Sequence, residues 1–220
     1  MQIAQTIIKF PEITLKTRDA HKLRGYFGNV FKEHSPLLHN HFEDGKNRYA
    51  YPLVQYKVIS NIPMLVGFNQ GSELLTSLFL QLKEIKIEDQ QITVRSKNIE
   101  QIILNLNTEH KLYNYSFATL WMGLNQKNHK QYSEIKFYDQ KQDFLDNAIR
   151  NSILSFYKGI GFWTKEQILV TSKLKEKQTM FKNKKMLAFE GSFVSNAFIP
   201  NYAGIGKSTS RGFGTVILNK

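Results

Sequence analysis

Three of the six histidines of this 220-residue chain fall in one stretch, residues 33 to 51, that reads EHSPLLHNHFEDGKNRYAY: His34, His39 and His41. His39 and His41 stand two apart, so in extended backbone both side chains leave the same face, whereas a helix would point them apart. Imidazole titrates near neutral pH, and two of them can divide the work of base and acid. Such a pair suits cleavage of an RNA strand. A base takes the ribose 2′-OH proton, an acid protonates the departing 5′ oxygen, and a cation steadies the pentacoordinate phosphate. Lys46 and Tyr49 follow within reach of a folded loop, with Arg48 between them, and Lys32 lies at the end of the preceding helical pattern. Two other readings of the pair stand beside this one. A His-x-His pair ligates zinc, although no cysteine or acidic pair sits at a matching spacing, and histidines also occur at surfaces without chemical work.

The second stretch able to do chemistry is GIGKSTSRGFGTV, residues 204 to 216. Its GKST looks like a phosphate-binding P-loop, but that motif needs a glycine five residues before Gly206, and Asn201 stands there. A dinucleotide fingerprint fails as well, since its third glycine would have to replace Thr209. What remains is a loop in which Gly204, Gly206 and Gly212 allow close backbone approach, with Lys207, Ser208 and Arg211 as donors for phosphate oxygens. Such a loop fits an RNA backbone better than a nucleotide. An ordinary tight connection before a closing strand is the competing reading.

The elements that must carry these residues follow from periodicity. Residues 2–10 alternate as a strand; 17–33 repeat apolar residues at helical spacing, with Thr17 placed to cap; 48–60 and 62–68 are β-rich. Residues 69–85 read as a second amphipathic helix, and QQITVRS and EQIILNL supply further strand. The order β-α-β-β-α-β is the ferredoxin-like unit that RNA-binding domains often use. The second half begins again with a strand over 110–125, a helix over 139–160 and strands over 167–174 and 185–196 before the glycine-rich stretch. A second, less regular copy of the first unit is expected. Gly25 and Gly28 lower the stability of the first helix by ~1 kcal/mol each relative to alanine. Residues 173–185, KLKEKQTMFKNKK, read as a lysine-rich hairpin or flexible loop.

Composition narrows the partners. A net charge of +12 and no cysteine describe a chain that attracts polyanions and uses neither disulfides nor thiolate chemistry. No apolar run approaches the ~18 residues of a membrane span, and the first ten residues lack a signal peptide's pattern, which points to a cytoplasmic protein without a membrane partner.

The segment GIGKSTSRGFGTV, near the C-terminus and after a strand, resembles the G-rich loop of the RAMP superfamily. With LLHNH in the first half, the chain is similar to the CRISPR-associated endoribonucleases that cut precursor CRISPR RNA within its repeats, the sixth Cas family. The resemblance implies two tandem ferredoxin-like domains, 1–98 carrying the catalytic histidine loop and 99–220 carrying the glycine-rich loop. It implies metal-independent, cofactor-free cleavage by His39 and His41, assisted by Tyr49 and Lys32. Lys46, Arg48, Gly204, Gly206, Lys207, Ser208, Arg211 and Gly212 would grip the repeat RNA. The partners implied are precursor CRISPR RNA and, at the level of assembly, a second copy or effector-complex subunits. The alternative is a guide-RNA-holding subunit of the same superfamily that cuts nothing. It would keep the glycine loop without needing the histidine pair.

Overall fold

A computed structural model describes residues 1–30, 51–181 and 184–219, with backbone alone at residues 109 and 110. The chain divides into two units, Met1–Asn105 with Thr209–Gly212, and Leu106–Ser208 with Phe213–Lys220.

In the first unit, β1 (Gln2–Lys9) pairs antiparallel with β3 (Ile62–Phe68) on one side and β6 (Asn98–Asn105) on the other, while β2 (Val54–Ile59) pairs with β3. The sheet order is β2-β3-β1-β6. A turn at Ser60 and Asn61, both at positive φ (50° and 65°), joins β2 to β3 in the conformation that two-residue hairpins require. Two helices lie on one face: α1 (Ala20–Val30) and α2 (Gln70–Leu78). Period-2 alternation sends Val54, Tyr56 and Val58 toward them, where they join Ile8, Leu23, Phe27, Leu75 and Leu78 in one buried core. Fixing α2 further, the hydroxyls of Thr6 on β1 and Ser72 on α2 are hydrogen-bonded at 2.7 Å in the interior.

The second unit repeats the pattern. Here β7 (Thr108–Phe117) lies between β9 (Lys184–Ala197) and β10 (Val216–Leu218), and β8 (Val170–Phe181) pairs with β9, giving the order β10-β7-β9-β8. In each sheet the first strand sits between the third and the fourth, and the second strand lies at the edge beside the third. That is the ferredoxin-like order, and the two sheets share it. Helix α4 (Tyr138–Gly159) packs on β8: Ser172 donates its backbone N–H to Asp146 Oδ1 at 2.9 Å, and Arg150 Nε donates to the Ile168 carbonyl at 2.8 Å.

Several expectations change. The first helix opens with a 3₁₀ turn over Thr17–Asp19 whose N-cap is Lys16, not Thr17, and Asp19 at the end of that turn accepts the Lys16 N–H at 3.1 Å. The second helix ends at Leu78 with a 3₁₀ turn at Phe79–Gln81, because the chain then forms a small hairpin, β4 (Glu84–Ile87) with β5 (Gln90–Thr93), outside the main sheet. The strand expected over 110–125 stops at Phe117, and Trp121 makes a single bridge to Phe189. An unexpected helix, α3 (Gln126–Glu134), follows, capped by Asn125, whose side-chain oxygen accepts the Asn128 N–H at 2.7 Å. Residues 173–181 and 184–185 of the lysine-rich stretch lie in the arms of the long β8–β9 hairpin. The first unit runs to Asn105, since β6 pairs with β1 along its whole length and a division after residue 98 would separate them. Between β9 and β10, where a second helix would complete the repeat, stands the glycine-rich segment with one 3₁₀ turn, Thr209–Arg211.

Candidate functional site

The glycine-rich segment is fastened at both ends before it offers anything to a ligand. Ile205 donates its N–H to the Gly214 carbonyl at 2.9 Å, Val216 to the Ala203 carbonyl at 2.9 Å, and Gly204 bridges to Thr215. Further in, Lys207 donates to the Met122 carbonyl at 2.8 Å and Gly214 to the Leu120 carbonyl at 2.9 Å. The backbone N–H groups of Ile205, Lys207, Gly212 and Gly214 are thus all committed inside the protein. Lys207, Ser208 and Arg211 add to the segment side chains of the kind that bind an anion.

Internal packing also accounts for Gly206 and Gly212. Trp121 is fully buried, stacked on Phe117 with ring centroids 5.6 Å apart. Gly206 lies against its indole: a Cβ there would come within 2.6 Å of Trp121 Nε1, and the backbone sits at φ +89°, in the left-handed region. The indole N–H is itself buried with no acceptor among the described residues. Gly212 does the same work in the first unit. At φ +87°, a Cβ on it would lie 2.9 Å from the Ala20 Cβ and 3.2 Å from the Tyr56 carbonyl oxygen. Thr209–Gly212 therefore rests on α1 and on β2, the strand at one edge of the first sheet, and covers it.

Charge gathers around this segment. Lys207 is exposed, and partial burial still lowers its pKa. Arg211 is half-buried, with the half-buried Arg24 of α1 as its electrostatic neighbour. Burial holds the Arg24 guanidinium below its ordinary pKa, and the Arg211 charge pushes the same way. On β2, Lys57 is fully buried on the sheet face opposite the helices, and desolvation lowers its pKa to about 7.

Of the residues expected to act, Gly204, Gly206, Lys207 and Ser208 stand in the second unit, whereas Arg211 and Gly212 belong to the first. His39, His41, Tyr49, Lys32, Lys46 and Arg48 lie outside the described residues. Trp121 went unnoticed in the sequence because it falls in an apolar run that reads as strand. Arg24 did not stand out among the polar positions of α1. Nothing in the sequence marks it, because its place one helical turn after Ala20 matters only once Gly212 rests on that alanine.

With this geometry in place, comparison with known proteins is informative. Residues 1–105 match the model of the Cas6b N-terminal domain, and residues 107–218 that of the Cas6b C-terminal domain. A crystal structure of Cas6b is 34% identical, with 100% of each chain covered and a TM-score of 0.94. A second, a CRISPR RNA processing endoribonuclease Cas6b, is 32% identical over 100% of each chain, with a TM-score of 0.80. An uncharacterized protein of Methanocaldococcus jannaschii, MJ0978, is 28% identical over 64% of this chain and 95% of its own length.

Proposed function

This chain belongs to the Cas6b family and is an endoribonuclease that processes precursor CRISPR RNA, and on that premise we infer that His39 and His41 carry the cut. One imidazole takes the proton of a ribose 2′-OH in the repeat, and the 2′ oxygen attacks the adjacent phosphorus. The bond from phosphorus to the 5′ oxygen breaks as the other imidazole, as imidazolium, gives that oxygen a proton. The products are a 2′,3′-cyclic phosphate and a 5′-hydroxyl. Because the nucleophile belongs to the RNA itself, no metal-bound water is required. Lys32 and Tyr49 steady the developing charge on the phosphate, Lys46 and Arg48 hold the strand beside it, and Lys207, Ser208 and Arg211 hold the repeat through the glycine-rich segment.

The observation that carries this reading is the His39-x-His41 pair in a chain whose two halves both match the family. Its test is cleavage of the host's own repeat RNA in excess EDTA by wild type, His39→Ala, His41→Ala and the double variant. Each single variant is expected to lose ~10²–10⁴-fold in rate, the usual worth of a positioned acid or base. The downstream fragment of the wild-type reaction should carry a 5′-hydroxyl. Undiminished cutting by the double variant would place the chemistry on other residues. The partner is the repeat RNA, bound by one chain, by two copies or beside effector subunits, and the mass of the purified RNA complex distinguishes these.

A further inference from the structure

Each four-stranded sheet has two edge strands, and an edge strand offers a row of backbone N–H and C=O groups to any other strand that comes near. Three of the four edges are protected. Thr209–Gly212 covers β2, β10 is three residues long, and β8 carries Lys173, Lys175 and Lys177 at alternate positions. Strand β6 has none of these devices. It runs for eight residues, NIEQIILN, without lysine or proline, and pairs with β1 in unbroken register, so no bulge turns it aside. On its other side no strand stands among the described residues. The register sets Ile99 opposite Ile8, Gln101 opposite Thr6 and Ile103 opposite Ala4, so these three share the face that carries the helices. Ile99 is 39% and Ile103 62% exposed, beside α2, which Thr6 holds through Ser72. In a chain of net charge +12 the one charge on this strand is Glu100, so the edge does not attract an RNA backbone.

We propose that β6 pairs antiparallel with β6 of a second copy of this chain, about a two-fold axis through Gln101, and so joins two four-stranded sheets into one of eight strands. The strand is complementary to itself in this register. Ile99 of each chain meets Ile103 of the other, so the same apolar pair is made twice. Glu100 falls opposite Ile102, and the two carboxylates do not face each other. An axis through a residue also keeps the helices of both copies on one side of the joined sheet, and of such registers the one centred on Gln101 sets the two exposed isoleucines against each other. The proposal goes beyond repeat cleavage and does not rest on it.

The test is the mass of the whole protein by sedimentation over a series of concentrations, without RNA, together with the oxidation of single-cysteine variants. The chain has no cysteine of its own to interfere. Wild type should reach twice the mass of one chain. Ile103→Lys, at an exposed position and checked for an unchanged thermal unfolding midpoint, should raise the concentration needed for association at least about tenfold, because the two-fold axis makes the substitution act twice. Ile99→Lys combined with Ile103→Glu should recover the association that either change alone removes, since each lysine then meets a glutamate of the other chain. Gln101→Cys, on the axis, should oxidise to a linked dimer, whereas Ile99→Cys, four positions from its own counterpart, should not. A wild type that stays a single chain at every concentration overturns the proposal, even where another protein is found paired with this edge. A dimer indifferent to Ile103→Lys, or one linked through Ile99→Cys and not through Gln101→Cys, overturns it as well. Repeat cleavage is scored in a separate assay, so its failure bears on the functional reading alone.

Discussion

Lys57 shows how far a single buried residue shapes this protein's response to pH. Its neighbours in the strand, Tyr56 and Val58, fill the helix-side core, so alternation turns Lys57 to the opposite face, where it is fully buried. Desolvation lowers its pKa from 10.5 to about 7. Below pH 7 both the folded and the unfolded chain hold the proton, and the folded state bears the whole penalty of a buried ammonium, on the order of a few kcal/mol. Between about pH 7 and 10.5 the unfolded chain binds a proton that the folded one does not, so stability rises with pH. Lys57→Met should therefore raise the urea midpoint clearly at pH 6 and much less at pH 9.5. An equal gain at both pH values would show that the lysine is not titrating in the folded state. At Gly206 the issue is space and backbone, not charge. Gly206→Ala must accept φ +89° and a methyl group against Trp121, and should cost ~1–3 kcal/mol in thermal unfolding. A variant as stable as wild type would mean that the indole shifts freely.

At the scale of elements, α1 is the helix whose sequence argues most against itself. Gly25 is exposed, and a Cβ there would meet nothing within 4 Å. Gly25→Ala should thus stabilise the protein by ~1 kcal/mol, the ordinary helix-propensity difference, raising the thermal midpoint by a few degrees. If stability rises while repeat cleavage falls, the glycine serves close approach of the RNA rather than packing. Elements with strong periodicity were legible: β1, β3 and α4 match their expected bounds within a few residues, because alternation or helical spacing persists along their length. Helix α3 was not, since QKNHKQYSE offers one buried residue, Tyr132, and is held by the Asn125 cap instead of by an apolar stripe. Strand β4 was lost at what reads as the tail of a helix, because the buried apolar residues Leu82 and Ile85 also fit helical spacing, whereas its partner β5 lies within the expected strand QQITVRS.

For the whole molecule, the consequential feature is that the last stretch of chain serves both units. Thr209–Gly212 covers the edge strand of the first, and the residues after it supply β10 to the second. Gly212→Val should therefore act on the first unit: amides of β2 and α1 should lose hydrogen-exchange protection, while those of β8 and β9 keep theirs. Equal loss in both units would indicate global unfolding, and no loss would mean that the segment can lift from the edge without consequence. The sequence by itself determined the β-α-β-β-α-β order of the first half, the basic character, the failure of the nucleotide motifs and the family resemblance, because these live in local periodicity, composition and spacing. Only the tertiary structure decided that Gly206 and Gly212 are required by Trp121, Ala20 and Tyr56, that the amides of Ile205, Lys207, Gly212 and Gly214 are already bonded, and that the charge of Arg211 acts on Arg24. Those facts depend on which distant surfaces meet, and contacts between residues remote in the chain leave no periodic trace in it.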